Sequence, residues 1–307
     1  MIIEISPDQS ITEAIKQLNP KDVLVLNDGI YNEKVEIWNS NITIKAKNYL
    51  KAKIIHKDYY HKIMPDNNEC NTFRTYTLYV GGDYVKLEGL DIQNEAVPSC
   101  IYGQAVALHV DGNHFLCEQC RIASAQDSLF TGPMPSDLLL RYEGFYPPEK
   151  RKGTPSKQIY RQCTIIGDVD FIFGCATAFF DQCKIISLDR GSTNPTYVCA
   201  PAHSKELSFG YLFYKCSFQG NEPAYLARPW RDYGCVAFIE CKLDEHILPE
   251  GYNKWDNTHR DKTARFYEYS TEIDTSRRVS WAHLLSSADA TKYLNKFLSF
   301  LEENDEK

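Results

Sequence analysis

A short unit recurs along this chain: an aromatic or apolar residue, two others, a cysteine, any residue, then an apolar one. It reads Leu116-Cys117-Glu118-Gln119-Cys120-Arg121-Ile122, Tyr160-Arg161-Gln162-Cys163-Thr164-Ile165, Phe180-Asp181-Gln182-Cys183-Lys184-Ile185, Phe213-Tyr214-Lys215-Cys216-Ser217-Phe218 and Phe238-Ile239-Glu240-Cys241-Lys242-Leu243. Leu87-Glu88-Gly89-Leu90-Asp91-Ile92 is the same unit with Leu90 in the cysteine place. Successive places lie 30, 43, 20, 33 and 25 residues apart. The shortest interval sets the length of one turn and the excess elsewhere is insertion. Short strands repeating at such an irregular period describe a solenoid, here an all-β, right-handed parallel β-helix.

The flanking sequence agrees. From Asp22 onward, β-branched and aromatic runs such as Val23-Leu24-Val25-Leu26, Ile42-Thr43-Ile44 and Thr77-Leu78-Tyr79-Val80 alternate with Gly, Asn and Asp turns. Before them, residues 12–18 have apolar positions at helical spacing and stop at Asn19-Pro20, so residues 1–21 are expected to cap the coil with a short helix. After Cys241 the strand units stop. Residues 282–307 are expected to form a helical tail along the outside, with 302–307 frayed. One domain then spans 1–307. The longest interval contains a Gly- and Pro-rich insertion, 132–155, with Phe145 and Tyr146 on it, placed where it can wall a cleft.

Five of the eleven cysteines fall on the repeat and are expected to point inward and stack, reduced and unpaired. Cys117 and Cys120 spell C-x-x-C, but without a second pair or histidines at ligand spacing this is packing rather than zinc or redox chemistry. A net charge of −7 argues against nucleic acid and anionic membrane surfaces as partners. No apolar run reaches the ~20 residues of a spanning helix. The stretch from Met1 to Asp8 does not read as a signal peptide, so the expected location is cytoplasmic if Met1 is the native start.

The chemistry centres on Gly167-Asp168-Val169-Asp170-Phe171-Ile172-Phe173-Gly174. Strand alternation puts Asp168 and Asp170 on one face, with Val169 and Phe171 on the other. Asp127 begins its coil at nearly the same offset from Cys120 as Asp170 does from Cys163. Stacking therefore brings the two aspartates to within about one strand spacing, ~4.8 Å at the backbone. Carboxylates so close cannot both ionise easily, which separates an acid from a nucleophile or base. Gln104 and Gln126 can donate to a developing oxyanion, and Arg228 can hold one aspartate charged.

In order and spacing, Gly29-Ile30-Tyr31-Asn32-Glu33, Gly103-Gln104-Ala105-Val106-Ala107-Leu108, Gln126-Asp127-Ser128-Leu129-Phe130, Asp170-Phe171-Ile172-Phe173-Gly174 and Leu226-Ala227-Arg228-Pro229-Trp230 resemble the pectin methylesterases. Thr72-Phe73-Arg74-Thr75-Tyr76-Thr77 and Tyr267-Glu268-Tyr269 look like further landmarks, and the likeness runs from about Asp22 to about Trp281. The resemblance implies hydrolysis of galacturonate methyl esters with no metal or organic cofactor, by a protein expected to be a monomer. It implies Asp170 as nucleophile, Asp127 as acid and then base, Gln126 with Gln104 at the oxyanion, and Arg228 orienting Asp170. Trp230, Phe173, Phe130, Val169 and Thr75 are the implied substrate contacts. Asp168 is outside the family's catalytic set and is expected to be solvated or a subsidiary contact.

Departures from the family pattern are mild: Ala227 for glycine, Ser128 for threonine, and Lys157 in place of an arginine. The insertion and the absent signal peptide point to short methylated oligogalacturonides rather than extracellular pectin. Another esterase or thioesterase in the same groove, and a non-catalytic carbohydrate-binding β-helix, are the alternative readings. A calcium-dependent lyase lacks its carboxylate cluster in this sequence.

Overall fold

The computed structural model of the chain describes residues 1–141, 155–270 and 272–303. Its strands form three parallel sheets of eleven, seven and eight strands, each strand pairing with its counterparts in the coils before and after, which is a right-handed parallel β-helix. One coil comprises Phe115–Glu118, Arg121–Ala123 and Leu129–Thr131, and the next comprises Lys157–Arg161, Thr164–Gly167 and Val169–Gly174. The apolar interior runs the length of the stack.

The recurring unit is the corner between the eleven-stranded and eight-stranded sheets. Its first position is a column in strict register, Cys117, Tyr160, Phe180, Phe213 and Phe238. The rings of the last four stack with centroids 4.9, 4.4 and 5.0 Å apart and planes within 10° of parallel. The residue before each cysteine, namely Gln119, Gln162, Gln182, Lys215 or Glu240, has φ between 51 and 53°. That left-handed turn is costly for a residue with a Cβ, and Gly89 occupies it without that cost in an earlier coil. Each turn residue is tied to the next coil by its N–H, as Gln162 is to the Asp181 carbonyl at 2.8 Å.

The cysteines then enter the core. Cys120, Cys163, Cys183, Cys216 and Cys241 are all buried, and all eleven thiols are free. Cys163, Cys183, Cys216 and Cys241 donate S–H bonds of 3.2–3.4 Å to the carbonyls of Cys117, Tyr160, Phe180 and Phe213 in the preceding coil. A thiol is small enough for the narrow corner and still offers a weak donor to the coil before it.

The ends differ in detail from expectation. The first helix is Ile11–Ile15, and Ile2–Ile5 precedes it as the first strand of the large sheet, paired with Val23–Leu26. Glu33 closes the helix N-terminus, its carboxylate accepting from Ile11 N at 2.8 Å and Thr12 N at 3.0 Å. At the other end His283–Leu284 adds a last strand against Tyr267–Glu268 before the helix Ser287–Glu302 begins. That helix packs Ala290, Phe297 and Leu301 on the outer face of the large sheet, over Phe179, Leu212 and Ala237. Lys157 holds its far end through a 2.7 Å bond to the Glu303 carbonyl. Within Tyr267-Glu268-Tyr269, Glu268 forms a buried ion pair with Arg278 at 2.9 Å and accepts from the Tyr252 hydroxyl at 3.0 Å. Of residues 302–307, expected to fray, Glu302 is still helical and Glu303 N–H bonds to the Ser299 carbonyl at 3.1 Å, so these two are held, while 304–307, like Phe145 and Tyr146, lie outside the described residues.

Two measurements test this construction. Phe213→Ala removes a ring from the middle of the column and is expected to cost about 3–5 kcal/mol in denaturant unfolding. Alkylation of unfolded, unreduced protein should label all eleven cysteines, and a shortfall seen by mass spectrometry would indicate disulfides.

Candidate active site

The outer face of the seven-stranded sheet carries the functional groups. Along it Tyr79, His109, Phe130, Phe173 and Ala200 lie in register, while Leu78, Leu108, Leu129, Ile172 and Cys199 alternate with them into the core. Beside this aromatic floor lies a cleft of about 250 Å³, lined among others by Gln104, Gln126, Asp127, Asp170, Arg228 and Trp230. Larger hollows of about 750 and 800 Å³ occur elsewhere on the surface, but neither is lined by any of these groups. Chemistry, not size, identifies the site.

The Asp127 N–H donates to the Val169 carbonyl at 3.0 Å, so the two aspartates do belong to adjacent coils. Both adopt left-handed backbone, with φ 65° at Asp127 and 48° at Asp170. Aspartate tolerates this region better than most residues, and such strain recurs at working sites. At Asp170 the register against the following strand shifts between Val169 and Ile172. The simple alternation expected for this strand therefore breaks: Phe171 and Ile172 both enter the core, and Phe173 returns to the outer face.

Arg228 grips Asp170 through two bonds, Nε to Oδ1 at 2.8 Å and Nη2 to Oδ2 at 2.6 Å. Its guanidinium lies between two rings, 3.8 Å from the centre of Tyr197 and 4.0 Å from that of Trp255. A planar cation held on both faces keeps its donors aimed in one plane. Neither aromatic belongs to a recurring unit or to a landmark run, so nothing in the sequence marked them. Trp255 follows the last cysteine place and sits in left-handed backbone, φ 68°.

Burial raises the proton affinity of Asp170, and Arg228 opposes the rise. Burial lifts Asp127 much further, helped by the neighbouring charges of Asp170 and Asp168 and opposed by Arg228. The pair is therefore ordered in proton affinity, higher on Asp127 than on the arginine-clamped Asp170. Gln104 and Gln126 are bridged in parallel, with Gln126 O accepting from Ala105 N at 3.0 Å and Gln104 O from Tyr60 N at 2.9 Å. Their backbones are fixed while their side chains line the cleft.

The remaining expected contacts divide. Trp230 and Phe173 line the cleft, edge to face at 5.7 Å. Phe130 does not reach it: it is fully buried within the floor, packed between Phe73 at 5.1 Å and Phe173 at 4.9 Å. Thr75 is likewise buried, its hydroxyl donating to Thr72 O and accepting from Val106 N. Val169 is buried outside the lining and contributes its carbonyl to Asp127. Asp168 is corrected too. It is 1% exposed, not solvated, and accepts a hydrogen bond from the Ser99 hydroxyl. Burial raises its proton affinity against that bond. Thr72, Phe73, Leu138 and Arg141 also line the cleft, the last two from the insertion.

Three comparisons bear on this arrangement. The family model described as Pectinesterase matches residues 6–134 and 153–303. "Probable pectinesterase/pectinesterase inhibitor 35" of Arabidopsis thaliana is 28% identical over 89% of this chain, which spans 47% of that relative, about half its length. Among solved structures, pectin methylesterase PemA from Erwinia chrysanthemi superposes with a TM-score of 0.79 at 21% identity, covering 99% of this chain and 98% of its own. A pectin methylesterase in complex with a hexasaccharide superposes with a TM-score of 0.77 at 21% identity, covering 97% and 94%. At these identities the solved structures establish the fold, and the family match extends over nearly the whole described sequence. The chain belongs to the pectinesterase family.

Proposed function

We propose that the protein hydrolyses methyl esters of galacturonate units, releasing methanol, and that its substrates are short methylated oligogalacturonides. The observation that carries this is the asymmetric aspartate pair: Asp170 clamped by two bonds from Arg228, one coil from an Asp127 without such a partner, with two glutamines lining the same cleft. Support for the substrate class comes from family membership and from a relative of the same fold held in complex with a hexasaccharide. The free thiols of the core fit a reducing, cytoplasmic location.

In this reading an Asp170 oxygen attacks the ester carbonyl carbon, and the carbonyl electron pair moves to oxygen as an oxyanion. Donors on Gln126 and Gln104 stabilise that charge without adding one of their own. The oxyanion collapses, the bond to methoxide breaks, and Asp127 gives its proton to the departing oxygen. Methanol leaves, and the galacturonyl group remains on Asp170 as an anhydride. Asp127, now a carboxylate, takes a proton from water as the water oxygen attacks the anhydride. The galacturonate acid is released, Asp170 regains its charge and Arg228, and Asp127 regains its proton. Arg228 gives little to the attack itself. It keeps Asp170 deprotonated and fixes its oxygens, and Tyr197 and Trp255 fix Arg228.

Methanol release from methylated pectin and from short methylated oligogalacturonides tests the reading. The wild type is expected to be active, with the oligomers preferred, and Asp170→Ala to lose about 10⁴-fold or more in kcat. No methanol from wild type on either substrate, or an undiminished variant, rejects it.

The raised proton affinity of Asp127 has a stability consequence. Because the folded state favours the protonated form, the associated stability is complete below the unfolded value of about 3.9 and is lost as pH rises toward the folded value. Asp127→Asn escapes that loss. The inactive variant should therefore unfold at a higher temperature than wild type at neutral pH, with the difference narrowing as pH falls to about 4. Equal melting temperatures across that range would show that Asp127 is not held protonated by the fold.

A further inference from the structure

Asp168 takes no part in the hydrolysis described above and does not line the cleft, yet it is a buried acid two residues before Asp170. A buried carboxyl is costly where a small hydroxyl would fill the same space, so packing alone gives no reason for it. Its Oδ2 accepts from the Ser99 hydroxyl, and its Oδ1 is buried without a hydrogen-bond partner among the described residues. What distinguishes Asp168 is the reach of its bonds. Its N–H donates to the Ala125 carbonyl at 3.0 Å, one coil back, in the segment that continues to Gln126 and Asp127. Its carboxyl meets Ser99, which lies in the loop of the coil before that. One residue thus ties together the three coils that deliver Gln104, the Gln126 and Asp127 segment, and Asp170.

Ser99 opens the short helix Ser99–Tyr102 and is the buried residue in it, while Cys100 and Ile101 are exposed. The Gly103 N–H closes that helix on the Ser99 carbonyl at 2.8 Å, and Gln104 follows at once. The Gln104 carbonyl is held by Tyr60 N–H at 2.9 Å, and the chain after it by Ala105 N–H on the Gln126 carbonyl at 3.0 Å. On the side before Gln104, the buried side-chain tie is the one from Ser99 to Asp168. A donor to an oxyanion works only if it is aimed in advance at the place where charge develops, so a fixed backbone on both sides of Gln104 is part of the site.

We propose that Asp168 is a positioning residue for the hydrolysis: through the Ser99 hydroxyl, its carboxyl group holds the Gln104 segment in place beside Gln126. The inference rests on the ester-hydrolysis reading and gives a task to an acid that never touches the substrate. Gln104 acts on the transition state rather than on bound ester, so loosening it lowers kcat and leaves KM nearly unchanged. The charge of Asp168 also adds to the raised proton affinity of Asp127, after burial and Asp170, and each variant is therefore compared at its own pH optimum.

The test measures methanol release from one methylated oligogalacturonide by Ser99→Ala, Ser99→Thr and Asp168→Asn. Ser99→Ala is expected to lose about tenfold in kcat at an unchanged KM. Ser99→Thr keeps the hydroxyl and Asp168→Asn keeps an acceptor for it, so both should retain most of the wild-type kcat. In a Gln104→Ala background, adding Ser99→Ala should cost nothing further, because the tie then has no donor left to aim. An active wild type whose kcat persists in Ser99→Ala, a loss carried by KM, a tenfold loss in the two conservative variants, or the same loss repeated in the Gln104→Ala background overturns the assignment and leaves the ester reading intact. A wild type that releases no methanol overturns the two together. Melting curves verify folding. Should Ser99→Ala fail to fold, Asp168→Ala, which removes the buried acid along with the tie, takes its place with the same expected split and the same outcomes.

Discussion

The site depends on a backbone hydrogen bond. The Asp127 N–H meets the Val169 carbonyl at 3.0 Å because two coils stack in register, and this alone makes neighbours of residues 42 positions apart and sets Asp127 beside Asp170. Everything that sets the register serves it: the stacked rings from Tyr160 to Phe238, the left-handed corners, and the thiols that donate back one coil. The aromatic column and the aspartate pair are on different faces of the same coils. The first gives the second a rigid spacing, and a rigid spacing is what keeps two carboxyl groups close despite their repulsion.

Three buried aspartates within four residues of chain and one coil of stacking are a concentration of desolvated charge. Only Asp170 has a guanidinium bonded to it in full, and that guanidinium is held in turn by two rings. Asp168 has a serine hydroxyl, and Asp127 has the least compensation and the largest upward displacement in proton affinity. The gradient from clamped to weakly compensated separates chemically identical side chains in proton affinity, which is the difference the proposed nucleophile and acid require. The fold tolerates the cost because the surrounding core is long, continuous and apolar.

The landmark runs that resemble the family serve two ends. Gln104, Gln126, Asp127, Asp170, Arg228 and Trp230 converge on the cleft. Glu33, Thr75 and Glu268, from equally recognisable runs, bond to backbone or to a buried arginine and hold the coil ends and corners. Family likeness in sequence does not distinguish them. A hydroxyl or carboxylate is retained for a buried structural bond as readily as for chemistry, and only its partner reveals which. The insertion shows the converse, since Leu138 and Arg141 stand outside the family match and still line the cleft.

What the sequence determined by itself is periodic. The cysteine unit prescribes the coil, its spacing prescribes which segments stack, and stacking at like offsets pairs Asp127 with Asp170 rather than with Asp168. These follow because parallel strands repeat their pattern from coil to coil. What only the tertiary structure decided is where side chains lie once that pattern is interrupted. The register shift at Asp170 sends Phe171 and Ile172 inward together and leaves Asp168 buried against Ser99. The rings that clasp Arg228 come from a strand without a landmark and from a loop beyond the last repeat. Their meeting depends on where the chain returns after its insertions, and no local period encodes that return.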